Sequence, residues 1–160
     1  MNKILFLDID GVLNSSDSEE FADKTKPWFY NEVSDYHLKE LSRIITETSA
    51  KIVLTSSWRL YHPLFTGFDK IEDSLIMVLE EKLKFYGLSI FDVTPELCGK
   101  SRGMEIESWL NSHPDVSVYV ILDDEFDILS EQKDRVVRTT LSHGLTKELA
   151  DLVIEKFKLC

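Results

Sequence analysis

Cysteine is nearly absent: 160 residues contain two, Cys98 and Cys160. They lie far apart and make no metal-ligand spacing, which excludes a cysteine-built metal site. Long apolar runs are missing too, so nothing reads as a membrane span. The N-terminal run Ile4-Leu5-Phe6-Leu7 is cut short by Asp8 and is no signal peptide. Free thiols without an export signal set the expectation of a cytoplasmic protein. Positive charge is the third shortage. Eighteen Lys and Arg face 29 Asp and Glu, for a net charge of −11. That balance favours solubility and opposes tight, non-specific binding to nucleic acid or anionic membrane, though it leaves room for a local basic patch. Internal repeats, low-complexity stretches and linkers are also lacking. The length and apolar fraction fit one domain over residues 1–160 with a real core.

What is present is a strand-then-helix alternation. Ile4–Leu7 reads as a strand buried on both faces, as in a parallel sheet. Further strands are expected over Lys51–Thr55, Leu88–Val93, Val116–Leu122 and Arg135–Thr139. Helices are expected over Tyr36–Glu47, Glu72–Tyr86, Met104–Asn111 and Thr146–Lys158, from apolar residues at helical spacing. The alternation implies an α/β fold: a three-layer α/β/α sandwich around a Rossmann-like, mostly parallel five-stranded sheet.

The polar residues at the strand ends carry the chemistry. Asp8 and Asp10 follow the first strand, and extended-chain alternation points both carboxylates to one side. Gly11 lets the backbone turn away without steric penalty. Open α/β sheets bind ligands at the carboxyl ends of their strands. The second strand ends in Thr55-Ser56-Ser57-Trp58-Arg59 and the fourth in Asp123-Asp124, while Lys100 and Arg102 precede a helix. In a parallel sheet these clusters converge on one edge. Paired carboxylates repel unless a cation offsets them, and clustered hard oxygens suit Mg2+ together with a substrate phosphate. Taken singly, an acidic pair such as Asp123-Asp124 often does no more than cap the next helix.

The ordered set Asp8-Ile9-Asp10-Gly11-Val12-Leu13, Leu54-Thr55-Ser56-Ser57, Lys100 or Arg102, and Asp123-Asp124 resembles the haloacid dehalogenase (HAD) superfamily of phosphotransferases. Ser56-Ser57-Trp58-Arg59, Arg102-Gly103-Met104-Glu105-Ile106, Val120-Ile121-Leu122-Asp123-Asp124 and Gly144-Leu145-Thr146 further resemble a capless HAD branch associated with RNA-repair proteins. The resemblance implies a HAD-like fold with a minimal cap and a phosphatase acting through an aspartyl-phosphate. It makes Asp8 the nucleophile, Asp10 the acid and then base, and Ser56 a phosphoryl contact. It makes Arg102, or its rival Lys100, the charge neutraliser. It makes Mg2+ the cofactor, held by Asp124 beside the Asp8 carboxylate and the Asp10 backbone carbonyl, with Asp123 assisting.

Several residues stay open on sequence alone. Ser57, Trp58 and Arg59 are candidates for substrate contact; Trp58 either stacks on a base or packs in the core. Trp28-Phe29-Tyr30 is a packing cluster, a lid or a nucleobase platform. The histidines His37, His62, His113 and His143 show no ligand spacing and read as surface or loop residues. Trp109, on an apolar helix face, reads as core. Asp17, Glu19, Glu20 and Asp23 read as a solvated acidic loop. Asn14–Asp35 is too short for a separate cap domain, and an open site favours a large substrate such as an RNA or DNA phosphate end. Small phosphorylated molecules or phosphoproteins are the alternative substrates. The alternative of another class is a non-catalytic, metal-binding regulatory module.

Overall fold

The computed structural model describes residues 2–159 apart from 69, 71, 72 and 126. Five strands form one sheet in the order β3-β2-β1-β4-β5, parallel throughout: β1 Asn2–Leu7, β2 Lys51–Leu54, β3 Ile90–Val93, β4 Val116–Asp123 and β5 Val136–Arg138. The helices are α1 Asp35–Thr48, α2 Pro63–Thr66, α3 Ser74–Phe85, α4 Arg102–Asn111 and α5 Lys147–Leu159. Alternate residues of β1 feed two cores. Leu5 and Leu7 pack with Leu38, Leu41 and Ile44 of α1, Leu79 and Leu83 of α3, and Val153 and Phe157 of α5. Ile4 and Phe6 pack with Ile106 and Trp109 of α4. Both faces of the sheet are therefore covered, which is why its central runs, Ile4–Leu7 and Val118–Leu122, are unbroken apolar stretches.

Capping chemistry sets the helix starts. Ser34 caps α1 by accepting from Tyr36 N–H, Asp73 caps α3 from Leu75 and Ile76, and Ser101 caps α4 from Met104. Thus α4 begins at Arg102, two residues before the apolar pattern shows itself. The expected start of α3 at Glu72, like Cys160, lies outside the described residues. Strand β3 is shorter than expected because Leu88 instead closes α3, its N–H donating to Leu83 O at 2.8 Å. Two histidines expected at the surface are buried. His37 bridges Ser15 Oγ (2.9 Å) and Leu145 O (2.8 Å), and His62 Nε2 meets Glu80 Oε1 at 2.8 Å. Their partners are distant in sequence or on another element, so local pattern could not reveal the burial. No helix among the described residues is long and apolar enough to cross a membrane.

The strand order creates the site. The chain runs from β1 outward to β2 and β3, then returns to place β4 on the other side of β1. The switch point lies between β1 and β4, where open α/β sheets form their ligand crevice. Asp8 follows β1, Asp123 ends β4 and Asp124 follows it, so these carboxylates flank the switch point.

Candidate active site

Asp8 is tied into the sheet by its N–H, which donates to Leu122 O at 3.1 Å, and it is almost fully buried. Arg102, the first residue of α4, reaches it: Nη1 lies 2.8 Å from Asp8 Oδ1 and 2.7 Å from Asp123 Oδ2. One guanidinium thus serves two buried carboxylates. Burial, aided by the like charge of Asp123, pushes the Asp8 carboxyl up to about 6 despite the opposing pull of Arg102. The two anions in turn raise the Arg102 pKa against the effect of its own burial.

The position of Arg102 depends on its neighbour. A Cβ at Gly103 would lie 2.4 Å from Leu129 N, and Gln132 Nε2 donates to Gly103 O at 2.9 Å. Only glycine allows the first turn of α4 to approach this segment so closely. Lys100, two residues earlier, is exposed and has no side-chain hydrogen bond or ion pair among the described residues.

Asp8, Asp123 and Asp124 each offer a carboxylate oxygen, and these atoms all lie within 4.8 Å of one another. Both Asp123 oxygens are engaged, Oδ1 by Glu125 N–H (2.9 Å) and Oδ2 by Arg102. Asp124 is half-buried, and burial with the charges of Asp123 and Glu125 raises its carboxyl above the ordinary range. Its carboxylate rests over Gly11, which has φ +70°; a Cβ there would lie 2.6 Å from Asp124 Oδ2. Thr139 Oγ1 secures the same turn by donating to Gly11 O at 2.6 Å. Two buried carboxylates and a half-buried one, sharing a single cation, offer three hard oxygens, a donor set that fits Mg2+. The Asp10 carboxylate stands outside this cluster, so the metal reading leaves it only its backbone carbonyl.

Asp10 is exposed, but both its oxygens are held. Asn14 Nδ2 donates to Oδ1 at 2.9 Å and Trp58 Nε1 to Oδ2 at 3.1 Å. Trp58 is 8 % exposed and sits in the larger core. Of the two readings left open for Trp58, the ring takes the core-packing one, and its N–H edge reaches Asp10. Arg59, the neighbouring candidate for substrate contact, is turned inward. Its guanidinium donates to the carbonyls of Thr55 (2.6 Å), Ser56 (3.0 Å), Thr94 (3.0 Å) and Pro95 (3.3 Å) and to Glu105 Oε2 (2.7 Å). Burial lowers its pKa, and Glu105 opposes that. The residue joins the ends of β2 and β3 to α4 and has no donor to spare for substrate.

Ser56 is buried, with Oγ accepting from Trp58 N–H at 3.3 Å; Ser57 is exposed. Beside them Thr55 Oγ1 is the sole buried side-chain polar atom without a partner among the described residues. Sequence reasoning assigned no role to Thr55, Asn14 or Glu105. Glu105, a carboxylate on the inward face of an apolar helix, was a readable demand for a buried cation.

The family described as the HAD domain in Swiss Army Knife RNA repair proteins matches residues 4–150. The chain belongs to that family. It is therefore a HAD-superfamily domain, which places it among HAD-type phosphohydrolases in general, and HAD domains generally use Mg2+. No curated protein and no solved structure matches the chain. Among the described residues of this HAD domain, the insertion after β1 carries only two short 3-10 turns, Asp17–Phe21 and Trp28–Tyr30, and the one after β2 only Ser57–Tyr61 and α2. Tyr30 is docked, with Lys82 Nζ 4.2 Å from its ring centre, whereas Trp28 is exposed.

Proposed function

We propose that this HAD domain is a Mg2+-dependent phosphomonoesterase that removes a terminal phosphate from a nucleic-acid end through an aspartyl-phosphate. The observation that carries the chemistry is the buried Asp8 carboxylate, bridged by Arg102 to Asp123 with Asp124 alongside. An Asp8 oxygen attacks phosphorus and the ester P–O bond breaks. Asp10 gives its proton to the leaving alkoxide, then takes one from the water that attacks the aspartyl-phosphate. Phosphorus–Asp8 cleavage releases inorganic phosphate and restores the carboxylate. Arg102 and the Ser56 hydroxyl hold the equatorial oxygens, since phosphoryl transfer depends on positioning and charge neutralisation. Mg2+, held by Asp8, Asp124 and the Asp10 carbonyl, would neutralise charge on nucleophile and phosphate; Asp123, engaged by Arg102, supports from behind.

The small insertions and the family's association with RNA repair support a large, nucleic-acid substrate. A specific observation favours a second reading, a small neutral phosphorylated alcohol. The crevice beside Asp10, about 330 Å3, is lined by Asn14, Ser15, Glu19, Asn31 and Glu32 and by no lysine or arginine. The deciding experiment is phosphate release from 3′- and 5′-phosphorylated oligonucleotides, phosphopeptides and sugar phosphates. Oligonucleotide ends are expected to turn over at least as fast as sugar phosphates at low salt, and more slowly as salt rises. Turnover confined to sugar phosphates refutes the nucleic-acid substrate. EDTA abolishes activity and Mg2+ restores it. Asp124→Asn raises the Mg2+ requirement more than Asp123→Asn; the reverse order would exchange their roles.

A further inference from the structure

Asp10 is the one carboxylate of the site that protrudes into solvent, yet both of its oxygens are fixed by neutral donors from different loops. Asn14 comes from the segment after β1. Its amide orientation is determined by its other bonds: Oδ1 accepts from Gly11 N–H at 2.8 Å, and Nδ2 also donates to Glu32 O at 3.2 Å. Trp58 comes from the turn after β2, where its ring is anchored in the core. An exposed aspartate would otherwise lose rotamer freedom each time it reached a reactive pose. Neither an indole N–H nor an amide NH2 can accept a proton. The pair can therefore aim the carboxyl group without drawing its proton away from the leaving group.

We infer that Trp58 and Asn14 are positioning residues for Asp10, and that the indole N–H, rather than the ring, is what Trp58 contributes to turnover. The inference rests on the phosphatase reading above. Its signature is dependence on the leaving group. An alkyl alkoxide needs the proton from Asp10 to depart, whereas 4-nitrophenolate departs without it. The ratio kcat/KM reports the chemistry through leaving-group departure, so it isolates this step.

The test compares Trp58→Phe, which keeps an aromatic ring in the core, and Asn14→Ala with the full-length wild-type protein in Mg2+. For glycerol 2-phosphate, kcat/KM is expected to fall about tenfold in each variant, the scale of one lost hydrogen bond. For 4-nitrophenyl phosphate it should stay within about twofold, while acid quenching traps more aspartyl-phosphate because Asp10 also aims the attacking water. Should Trp58→Phe fail to fold, the same ratio is read on Asn14→Ala, whose side chain is only half-buried. Equal losses on both esters, or no loss on either, overturn the inference and leave the phosphatase reading standing. A wild-type protein that hydrolyses neither ester nor a 3′- or 5′-phosphorylated oligonucleotide refutes the phosphatase reading and takes the inference with it.

Discussion

Replacing Arg102 with methionine is the sharpest probe of the carboxylate cluster. The methionine keeps an aliphatic stem at the first turn of α4 and removes the charge. Asp8 and Asp123 are 5 % and 1 % exposed, and Arg102 is the cation in contact with both. Removing one partner of a buried ion pair costs about 3–5 kcal/mol, because the other charge stays buried and uncompensated. Asp8 already titrates near 6 and takes up a proton when Arg102 is gone, so the loss should sit near the lower limit, about 3 kcal/mol at pH 8. At roughly 2–4 °C per kcal/mol for a domain of this size, the metal-free midpoint should fall by about 6–12 °C. The deficit should shrink as pH falls toward 6, where the wild-type Asp8 becomes neutral too, and saturating Mg2+ should raise the variant's midpoint more than the wild type's. Loss of a charge-stabilising donor should also cut kcat/KM on an aryl phosphate roughly 30- to 1000-fold, or about 2–4 kcal/mol. Thermal melts with and without Mg2+, beside steady-state kinetics, read all of this. Lys100→Ala is the comparison and should change stability by less than about 0.5 kcal/mol. An Arg102→Met protein as stable as wild type without metal, or a larger kinetic loss at Lys100, would refute the assignment.

Three other substitutions probe the surrounding structure. Asp8→Asn should show no detectable turnover yet melt above the wild type without metal at pH 8. The folded wild type holds this proton more tightly than the unfolded chain, so its stability declines as pH rises through about 6; the advantage should vanish near pH 4, and a lower midpoint at pH 8 would contradict it. Gly11→Ala places a Cβ 2.6 Å from Asp124 Oδ2 at φ +70°, so it should cost about 1–2 kcal/mol and raise the Mg2+ concentration for half-maximal activity; an unchanged requirement would count against Asp124 as a ligand. Burial lowers the His37 pKa from its ordinary 6.5, so its contribution to stability is complete above that value and is lost as pH falls below it. Urea midpoints of His37→Gln between pH 7 and pH 5 should therefore fall less steeply than those of the wild type; parallel curves would reject this account.

The α/β architecture was legible in the chain, because a strand buried on both faces reads as an apolar run, as Ile4–Leu7 in β1 and Val118–Leu122 in β4 do. The sequence also determined which residues stand at the carboxyl ends of those strands, since alternation and a glycine turn are local properties. Asp8, Asp123, Asp124 and Arg102 could thus be singled out without knowing the strand order. Which of Lys100 and Arg102 meets Asp8 was not legible in the chain, because it depends on where Ser101 caps α4 and how closely Gly103 lets it approach. Only the tertiary structure showed that Arg59 is engaged by four carbonyls and Glu105, and that Trp58 presents an edge rather than a face. In a one-dimensional pattern a tryptophan or arginine beside a site residue looks the same whether it faces solvent or core. The difference is made by partners 35–48 residues away in the chain, brought together by the sheet order.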